Sequence, residues 1–331
     1  MLLEDFEIFK YGDNHHVPYV NNGTEYMVNR HPYLDIVLTD HCNQDCAFCI
    51  ADLVHEKKIL DLEVLKHKVT FAIKNLGVRE VLVLGGEPTL YKNLVVALRW
   101  LGTLGLDKVV MTTNGLRLAE DPVFREEVLS SGLTHVNVSF MSVAPRNQSA
   151  VTGNKHPLNT SGMERIYETA HLNGVKVRIN NNIYRENNDT VMSAVHFYKC
   201  VADFCDSLKF SPIFEVDSFS VVDFKTTWAK ENSLSHEYLE RLFYGIERYF
   251  ITMNDLSIIE NPLQFGFVKN TMIPLKTPII MNWNFGKYTG MMDKVVRLKQ
   301  INNLKLLPVG ELSLSWNREM EEYFINTEKE I

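Results

Sequence analysis

The stretch VKVRINNNI, residues 175–183, distinguishes between the two parallel-sheet folds that suit this chain. Apolar and polar side chains alternate along it, with Val175, Val177 and Ile179 opposing Arg178, Asn180 and Asn182. A strand of a doubly wound sheet is buried on both faces and is almost continuously apolar. A consistent polar face instead predicts a barrel whose lumen holds polar contents.

Two further β-rich runs show the same alternation. The polar positions are Asn137 and Ser139 in HVNVSF (135–140), and Lys209, Ser211 and Glu215 in LKFSPIFEV (208–216). Strands that are half exposed at a sheet edge would also alternate in this way. Polar faces on three neighbouring strands favour the lumen over the sheet edge.

Six β-rich runs alternate with helix-length segments between residues 33 and 216. The runs are YLDIVLT (33–39), EVLVLG (80–85), KVVMTT (108–113), HVNVSF (135–140), VKVRINNNI (175–183) and LKFSPIFEV (208–216). Intervening segments such as 61–77 and 121–132 end on Gly, as helices often do. This alternation is typical of βαβ units. We predict an α/β fold, a partial (β/α)6 barrel of parallel strands with a C-terminal α+β extension closing the barrel.

The domain organisation follows from this pattern. We predict an N-terminal lead over residues 1–32, the partial barrel over 33–216 and a capping region over 217–331. Within the capping region we expect a helix near 235–253, a strand in 277–284 and a second helix near 288–299. No repeat or Pro/Ser-rich linker marks a second independent domain, so the capping region should pack against the barrel.

Composition narrows the functional class. The 331 residues are 45% apolar and 23% charged, which is ordinary for a soluble globular protein. A net charge of -7 argues against a nucleic-acid partner, since phosphate binding needs an excess of Lys and Arg. The first twenty residues do not resemble a signal peptide, and no apolar run approaches the roughly 18 residues of a membrane helix. Five cysteines are too few for a disulfide framework, so we predict the reducing cytoplasm.

Three of the five cysteines lie within DHCNQDCAFCIAD, residues 40–52, at Cys42, Cys46 and Cys49. A tetrahedral zinc site needs a fourth ligand, and His41 adjoins Cys42 too closely to bind the same ion easily. A [4Fe–4S] cube usually takes four cysteines. Three thiolates would leave one iron open, as in a site that binds a substrate or cosubstrate.

The two remaining cysteines are Cys200 and Cys205. Both are far from the cluster of three in sequence, in or after the helix that precedes the sixth run. We expect them to be buried as small apolar side chains.

The C-x3-C-x2-C spacing directly after the first strand resembles the radical S-adenosylmethionine (SAM) enzymes. The runs LGGEPTL (84–90), TTNG (112–115), VNVSFMSVAPRNQSAVTG (136–153) and VRINNNIYRENNDT (177–190) are similar to the branch that contains the molybdenum-cofactor biosynthesis enzyme. The resemblance spans residues 33–216. One difference is Met141, where close relatives usually have Asp.

The resemblance implies two cofactors and their ligands. Cys42, Cys46 and Cys49 would bind a [4Fe–4S] cluster whose fourth iron chelates SAM. The reduced, oxygen-sensitive cluster would cleave SAM to a 5′-deoxyadenosyl radical that removes hydrogen from the substrate. The SAM contacts implied are Phe48, Gly85, Gly86, Glu87, Thr113, Asn114, Ser139 and Asn180. Glycines at 85 and 86 would let the backbone approach a ligand, and Glu87 would offer an anion to its ammonium group.

On the substrate side, the candidates are Arg178, Tyr184 and Glu215. Arg178 suits a phosphate or carboxylate. We predict an enzyme acting on a small polar metabolite, such as a nucleotide, sugar or natural-product intermediate. Its partner would be an electron donor such as flavodoxin or ferredoxin, with no nucleic-acid or membrane partner.

Two alternatives remain open. The first is a peptide-modifying radical SAM maturase; against it, only about thirty residues precede the first strand, and no cysteine follows Cys205 to bind auxiliary clusters. The second is a non-catalytic iron–sulfur or zinc protein. That class would account for the three cysteines but not for the LGGEPTL run or Asn180.

Overall fold

A computed structural model describes most of the predicted barrel and parts of the regions before and after it. The described residues are 16–21, 24–49, 58–213, 224–260, 270–283, 300–310, 312–313 and 324–325. Two sequence predictions fall outside them: the helix near 288–299, and Glu215.

The elements alternate in the predicted order. The strands are β1 (His16–Asn21), β2 (Thr24–Val37), β3 (Glu80–Leu84), β4 (Lys108–Thr113), β5 (His135–Ser139), β6 (Lys176–Ile183), β7 (Ser207–Pro212), β8 (Ile259–Glu260), β9 (Asn270–Ile273), β10 (Ile279–Asn282), β11 (Gln300–Leu306), β12 (Leu312–Ser313) and β13 (Phe324–Ile325). The α-helices are α1 (Leu62–Leu76), α2 (Leu94–Gly102), α3 (Leu116–Glu120), α4 (Pro122–Leu129), α5 (Pro145–Thr152), α6 (Thr160–Leu172), α7 (Val191–Val201), α8 (Phe224–Asn232) and α9 (His236–Asn254).

Strands β2 to β7 lie side by side in chain order, and every neighbouring pair is parallel. This arrangement confirms the predicted α/β partial barrel. The C-terminal region lengthens the sheet at both edges, because β10 pairs in parallel with β7 and β11 pairs in parallel with β2. Within the described residues the sheet runs from β13 to β8 without closing, so the expected closure by the C-terminal extension is not seen there.

Local sequence signals account for the helix boundaries. The side chain of Asp61 accepts hydrogen bonds from the backbone N–H groups of Glu63 and Val64, which caps α1. Gly77 ends the same helix in the left-handed conformation, at φ 71°. The predicted helix in 235–253 is α9, and the strand predicted in 277–284 is β10.

The two faces of the sheet differ in composition. On the outer face, Val136, Val138 and the apolar residues of the neighbouring strands pack against the helices in the main apolar core. The opposite face, here called the inner face, has a small apolar group of Tyr33, Val110, Met272 and Ile280. Polar side chains that include Asp35, Asn137, Arg178 and Lys209 share this face.

Polar groups on the inner face are buried. Asn137 has no exposed surface and Arg178 is only 7% exposed. A half-exposed edge would leave both side chains in water, so the alternation in β5 and β6 marks an enclosed polar face. None of the helices in the described segments is both long and apolar enough to cross a membrane.

Close packing of α2 against the turn after α4 depends on Gly132. This residue has φ +102°, and a Cβ placed on it would lie 3.0 Å from the Gly102 Cα. We expect Gly132→Ala to lower the free energy of unfolding, because a side chain meets both backbone strain and a steric clash. Gly105→Ala is the matched control, since Gly105 also has a positive φ, +66°, but an added methyl group would meet no atom within 4 Å.

Urea unfolding of both variants separates the two costs. Gly105→Ala should lose about 1–2 kcal/mol from the left-handed conformation alone. Gly132→Ala should lose about 1–3 kcal/mol more, the usual cost of overpacking. Equal losses in the two variants would show that the Gly102–Gly132 approach has room for a methyl group.

Candidate functional site

The cysteine loop, residues 40–49, follows β2 and carries three free thiols. Cys42 is exposed, whereas Cys46 and Cys49 are half-buried. Burial raises the pKa of Cys46, and the neighbouring Cys49 and Cys42 raise it further. The pKa of Cys42 is also raised, mainly because the surrounding loop partly desolvates its sulfur, and the charges of Glu87 and Cys49 add to this effect. Cys42 and Cys46 thus lie close enough to Cys49 for negative charges on the sulfurs to repel one another, and a bound metal centre would offset that repulsion.

Helix α5 holds the cysteine loop from one side. Backbone N–H groups of Asp45 and Ala47 donate to the carbonyls of Thr152 and Val151, at 3.0 and 2.9 Å. Gly153 ends α5 at φ +67°, and a Cβ on it would lie 3.0 Å from the Asp45 carbonyl oxygen. The loop thus rests on the C-terminal turn of α5, and a glycine allows the approach.

The Gly-Gly-Glu turn after β3 holds the loop from the other side. The N–H of Gly86 donates to the Thr39 carbonyl and the N–H of Glu87 donates to the His41 carbonyl, both at 2.7 Å. A Cβ on Gly85 would lie 2.5 Å from the Thr39 oxygen, and one on Gly86 would overlap the His41 carbonyl. The close approach that the glycines permit is therefore to the backbone leading into the cysteines.

Glu87 links the ends of β3 and β4 through its buried carboxylate. Its oxygens accept hydrogen bonds from the Thr89 N–H and hydroxyl, from the Thr113 hydroxyl, and from the Asn114 N–H, at 2.7 to 3.0 Å. Burial raises the Glu87 pKa, and these hydrogen bonds oppose that rise. Four donors within the chain hold this carboxylate, and its contact with a SAM ammonium group stays a prediction.

The β4 end also touches the cysteine loop directly. The Asn114 side-chain amide donates to the side-chain oxygen of Asn43 at 2.7 Å. Asn43 follows the first cysteine and carries no spacing signal, so sequence reasoning missed it. Thr113 and Asn114 therefore lie beside Glu87 and the cysteine loop, and their contact with SAM stays a prediction.

An aromatic group covers the loop near Cys46. The Phe48 ring lies 6.3 Å from that of Tyr184 and 6.5 Å from that of Trp228, and the last two are 5.3 Å apart. Burial, with Cys46 nearby, raises the pKa of Tyr184, so its hydroxyl stays protonated at neutral pH. Trp228 comes from α8, whose sequence carries no motif that predicts this contact.

Helix α8 makes a second contact with the loop. The Lys225 ammonium lies 2.8 Å from the Asp45 carboxylate. Lys225 and Trp228 therefore bind one helix of the C-terminal region to the cysteine loop. Sequence reasoning predicted a capping region but not which of its residues would reach the site.

A line of polar side chains crosses the inner face beside these strand ends. Ser139 is opposite Asn180, and Asn180 is opposite Lys209, in the register of β5, β6 and β7. Register partners project to the same face, so the three side chains are neighbours. The Arg178 Nε donates to the Asn180 side-chain oxygen at 2.9 Å, which fixes the orientation of that amide.

The three thiols of the loop are the candidate ligands of a cluster. In the part of the chain that the structure describes, no three His, Cys, Asp or Glu side chains converge as ligands of one ion. A cube places each thiolate on a separate iron, so its ligands need not converge. Cys205 is not part of this site: it is buried in the main core, as predicted, and Cys200 packs beside that core.

Comparison with known proteins identifies the barrel. The family model described as "Radical SAM superfamily" matches residues 36–197. The GTP 3′,8-cyclase of Mannheimia succiniciproducens is 31% identical over 183 residues, 52% of this chain and 52% of the relative. The GTP 3′,8-cyclase of Haemophilus ducreyi is 32% identical over 158 residues, 46% of this chain and 44% of the relative. This chain thus aligns with about half the length of these curated relatives.

Solved structures share the fold over more of the chain. Streptococcus suis SuiB superposes with a TM-score of 0.59 at 16% identity, covering 87% of this chain and 61% of SuiB. The protein anSMEcpe, with bound AdoMet and a peptide, superposes with a TM-score of 0.57 at 15% identity, covering 91% of this chain and 79% of its own. Residues 36–197 therefore match the radical SAM superfamily, and the curated relatives that this region resembles are GTP 3′,8-cyclases.

Proposed function

We propose that this protein is a radical SAM enzyme that removes a hydrogen atom from a small polar metabolite. The observation that supports this proposal best is the line of Ser139, Asn180 and Lys209 on the inner face. It lies beside the strand ends that carry the cysteine loop and the Gly-Gly-Glu turn. A polar substrate on the inner face would therefore be close to a cofactor held at those ends.

Cys42, Cys46 and Cys49 would hold the [4Fe–4S] cluster, and SAM would occupy its open iron. When bound and reduced, the cluster would donate one electron to SAM, and the S–C5′ bond would break to give methionine and a 5′-deoxyadenosyl radical able to abstract hydrogen. Gly85, Gly86, Glu87, Thr113, Asn114, Ser139 and Asn180 would surround SAM, with Phe48 beside it. We infer that the electron comes from a cytoplasmic donor such as flavodoxin or ferredoxin.

The chain's own contribution is to position and shield these groups. Phe48, Tyr184 and Trp228 cover the loop near Cys46 and would keep water and competing hydrogen donors away from the radical. Arg178 would orient the Asn180 amide through the bond from its Nε. Tyr184 and Glu215 remain candidate substrate contacts; Tyr184 lies in the aromatic group, whereas Glu215 is outside the described residues.

We propose a class of substrate and not a single compound. The curated relatives are GTP 3′,8-cyclases, which makes GTP the first compound to test. This chain aligns with about half of each relative, and it has no cysteine after Cys205. The proposed substrate is therefore a small nucleotide, sugar or natural-product intermediate.

A peptide substrate is the second candidate. It is favoured by the fold likeness to SuiB and anSMEcpe, which covers 87–91% of this chain and so extends past residue 197. Both proteins have structures with a bound peptide. The buried polar groups of the inner face favour the small metabolite, because a peptide does not require them.

The direct test is anaerobic reconstitution, reduction in the presence of SAM, and measurement of 5′-deoxyadenosine. We expect slow release without substrate and a higher yield with the right compound in a panel of GTP, other nucleotides, sugar phosphates and peptides. A peptide that alone stimulates release would favour the second candidate. No 5′-deoxyadenosine from a fully loaded, reduced protein would overturn the proposed activity.

Cys46→Ala tests the cluster ligands. Loss of one of three thiolates should remove the visible absorption of the cluster and abolish 5′-deoxyadenosine formation. Cys200→Ala is the matched control, since Cys200 packs beside the main core away from the loop. Iron and sulfide analysis should give four of each per control protein, and a normal cluster in Cys46→Ala would mean that another residue is the ligand.

Gly153→Ala tests the support that α5 gives to the loop. An added methyl group would press on the Asp45 carbonyl, and overpacking of about 1–3 kcal/mol corresponds to a factor of about 5 to 150 in the equilibrium between the native and a displaced position of the loop. We expect the cluster to be lost to a chelator about tenfold faster. Gly174→Ala, at φ +70° with no atom within 4 Å, should keep the wild-type rate. Equal rates of cluster loss in Gly153→Ala and Gly174→Ala would show that contact with α5 does not support the cysteine loop.

A further inference from the structure

An apolar group separate from the main core surrounds the cysteine loop. Its buried members are Ala47, Met141, Val151 and Tyr184, and the partly buried Phe48, Ile213 and Trp228 pack against them. Ala47 and Phe48 are the two residues between Cys46 and Cys49. Segments that are far apart in sequence therefore pack together at the two thiols, and this set of residues is here called the loop-side apolar group.

Helix α8 supplies Trp228 to the loop-side apolar group. The Trp228 ring packs edge-on against that of Tyr184, at 5.3 Å and 63°, and lies 6.5 Å from that of Phe48. Edge-to-face contacts of this kind favour one orientation of the rings. Helix α8 follows residue 197, where the match to the family model ends. The loop is thus covered by a part of the chain to which the family model does not extend.

The first turn of α8 brings a cation to the cysteine loop. The Lys225 ammonium lies 2.8 Å from the carboxylate of Asp45, the residue directly before Cys46. The Lys225 side chain is only 12% exposed, whereas that of Asp45 is 79% exposed. The lysine is therefore largely covered at the loop, where its charge acts on nearby groups with little screening by solvent.

The last turn of α8 is bound to the segment after β6. The Arg185 N–H donates to the Asn232 carbonyl at 2.8 Å, and its Nε donates to the Glu231 carbonyl at 3.2 Å. These bonds satisfy carbonyl groups that a helix end leaves without a partner. Arg185 directly follows Tyr184, so the same segment holds the helix and one ring of the loop-side apolar group.

This segment is itself held in a strained backbone conformation. Glu186 and Asn188 have φ values of 68° and 52°, which non-glycine residues rarely adopt. The Asn188 amide donates to the Asn181 side-chain oxygen at 2.9 Å, and the Asn187 amide donates to the Asn182 carbonyl at 2.8 Å. Strain of this kind persists where surrounding contacts fix the backbone. The position of α8 over the loop is therefore determined at both of its ends.

Two properties of a metal centre at the loop depend on what α8 places there. Exclusion of water disfavours the more negative, reduced state of a thiolate-bound cluster, because burial disfavours charge. A cation beside the thiolates favours that reduced state. Helix α8 carries one group of each kind, the Trp228 ring and the Lys225 ammonium.

We propose that α8 holds two positioning residues that adjust the metal centre: Trp228 keeps water away from the cluster near Cys46, and Lys225 offsets its negative charge. This inference rests on the proposed function, in which three cysteines of the loop hold the cluster. It assigns part of the control of the lifetime and reduction potential of the cluster to a helix beyond residue 197.

The first measurement is the rate at which a chelator removes the cluster from the reconstituted protein, anaerobically and without SAM. Trp228→Ala should lose the cluster about tenfold faster, which corresponds to the loss of one aromatic pair contact. Trp228→Phe keeps an aromatic ring and should stay within about threefold of the wild-type rate. A wild-type rate in Trp228→Ala would show that the ring does not shield the cluster.

Trp283→Ala is the matched control for the loss of a large ring. Trp283 is another partly buried tryptophan of the C-terminal region, and it packs edge-on against Phe243 in the main core, at 5.2 Å. This variant should lower Tm, as Trp228→Ala does, but lose its cluster within about threefold of the wild-type rate. Equal acceleration in the two variants would show a general effect of lower stability and overturn the role of Trp228.

The second measurement is the midpoint potential of the cluster, from a redox titration followed by electron paramagnetic resonance. Trp228→Ala should shift the potential to a less negative value, because water then stabilises the reduced cluster. Lys225→Met should shift it to a more negative value, because the Asp45 carboxylate stays beside the cluster without this cation. Lys225→Arg keeps the charge and should restore the wild-type potential. Shifts of the same sign in Trp228→Ala and Lys225→Met would mean that both variants only release α8, and the two separate roles would be wrong.

Cys46→Ala and the wild type distinguish failure of this inference from failure of the proposed function. A cluster and 5′-deoxyadenosine formation in the wild type, with neither in Cys46→Ala, would support the proposed ligands and activity. If the rate of cluster loss and the potential are then unchanged in Trp228→Ala and Lys225→Met, the role of α8 alone is overturned. A wild-type protein that binds no cluster would overturn both.

Discussion

The architecture of the site depends on one close backbone approach, in which the Gly-Gly-Glu turn after β3 donates to the carbonyls of Thr39 and His41. Those carbonyls lie directly before Cys42, so the turn determines where the cysteine loop begins. No side chain fits at Gly85 or Gly86, because a Cβ would meet the same backbone. The start of the cysteine loop is therefore positioned by hydrogen bonds to the residues that precede Cys42.

Glu87 transmits this constraint to the next strand. Its buried carboxylate accepts bonds from Thr89, Thr113 and Asn114, and Asn114 in turn bonds to Asn43 in the loop. The ends of β2, β3 and β4 are thus joined in one network of short polar contacts. A buried carboxylate is tolerable here because four donors compensate for its lost hydration.

The two faces of the sheet bury different kinds of side chain. On the outer face, apolar strand residues pack against the helices and supply the hydrophobic free energy of the fold. On the inner face, the cations Lys108 and Lys305 have carboxylate partners, whereas Arg178 and Lys209 lie beside each other with no carboxylate partner among the described residues. A fold that pairs some buried charges and leaves others unpaired carries a cost that a ligand can offset.

The amino-acid sequence by itself determined the local features. Period-two alternation and helix caps depend on neighbours in the chain, and β3 to β7, α1 and α9 follow them closely. The spacing of Cys42, Cys46 and Cys49 likewise needs only a short stretch. The LGGEPTL run also pointed to Glu87. It did not predict the four donor groups of Thr89, Thr113 and Asn114 that bond to the carboxylate.

Only the tertiary structure decided how distant segments meet. It placed β11 beside β2, with Lys305 on Asp35, and brought Trp228 and Lys225 of α8 onto the cysteine loop. It also showed that Arg178 bonds to Asn180 and that Lys209 lacks a partner in the described chain. These outcomes depend on packing between residues far apart in sequence, and no local periodicity or motif records which of them will touch.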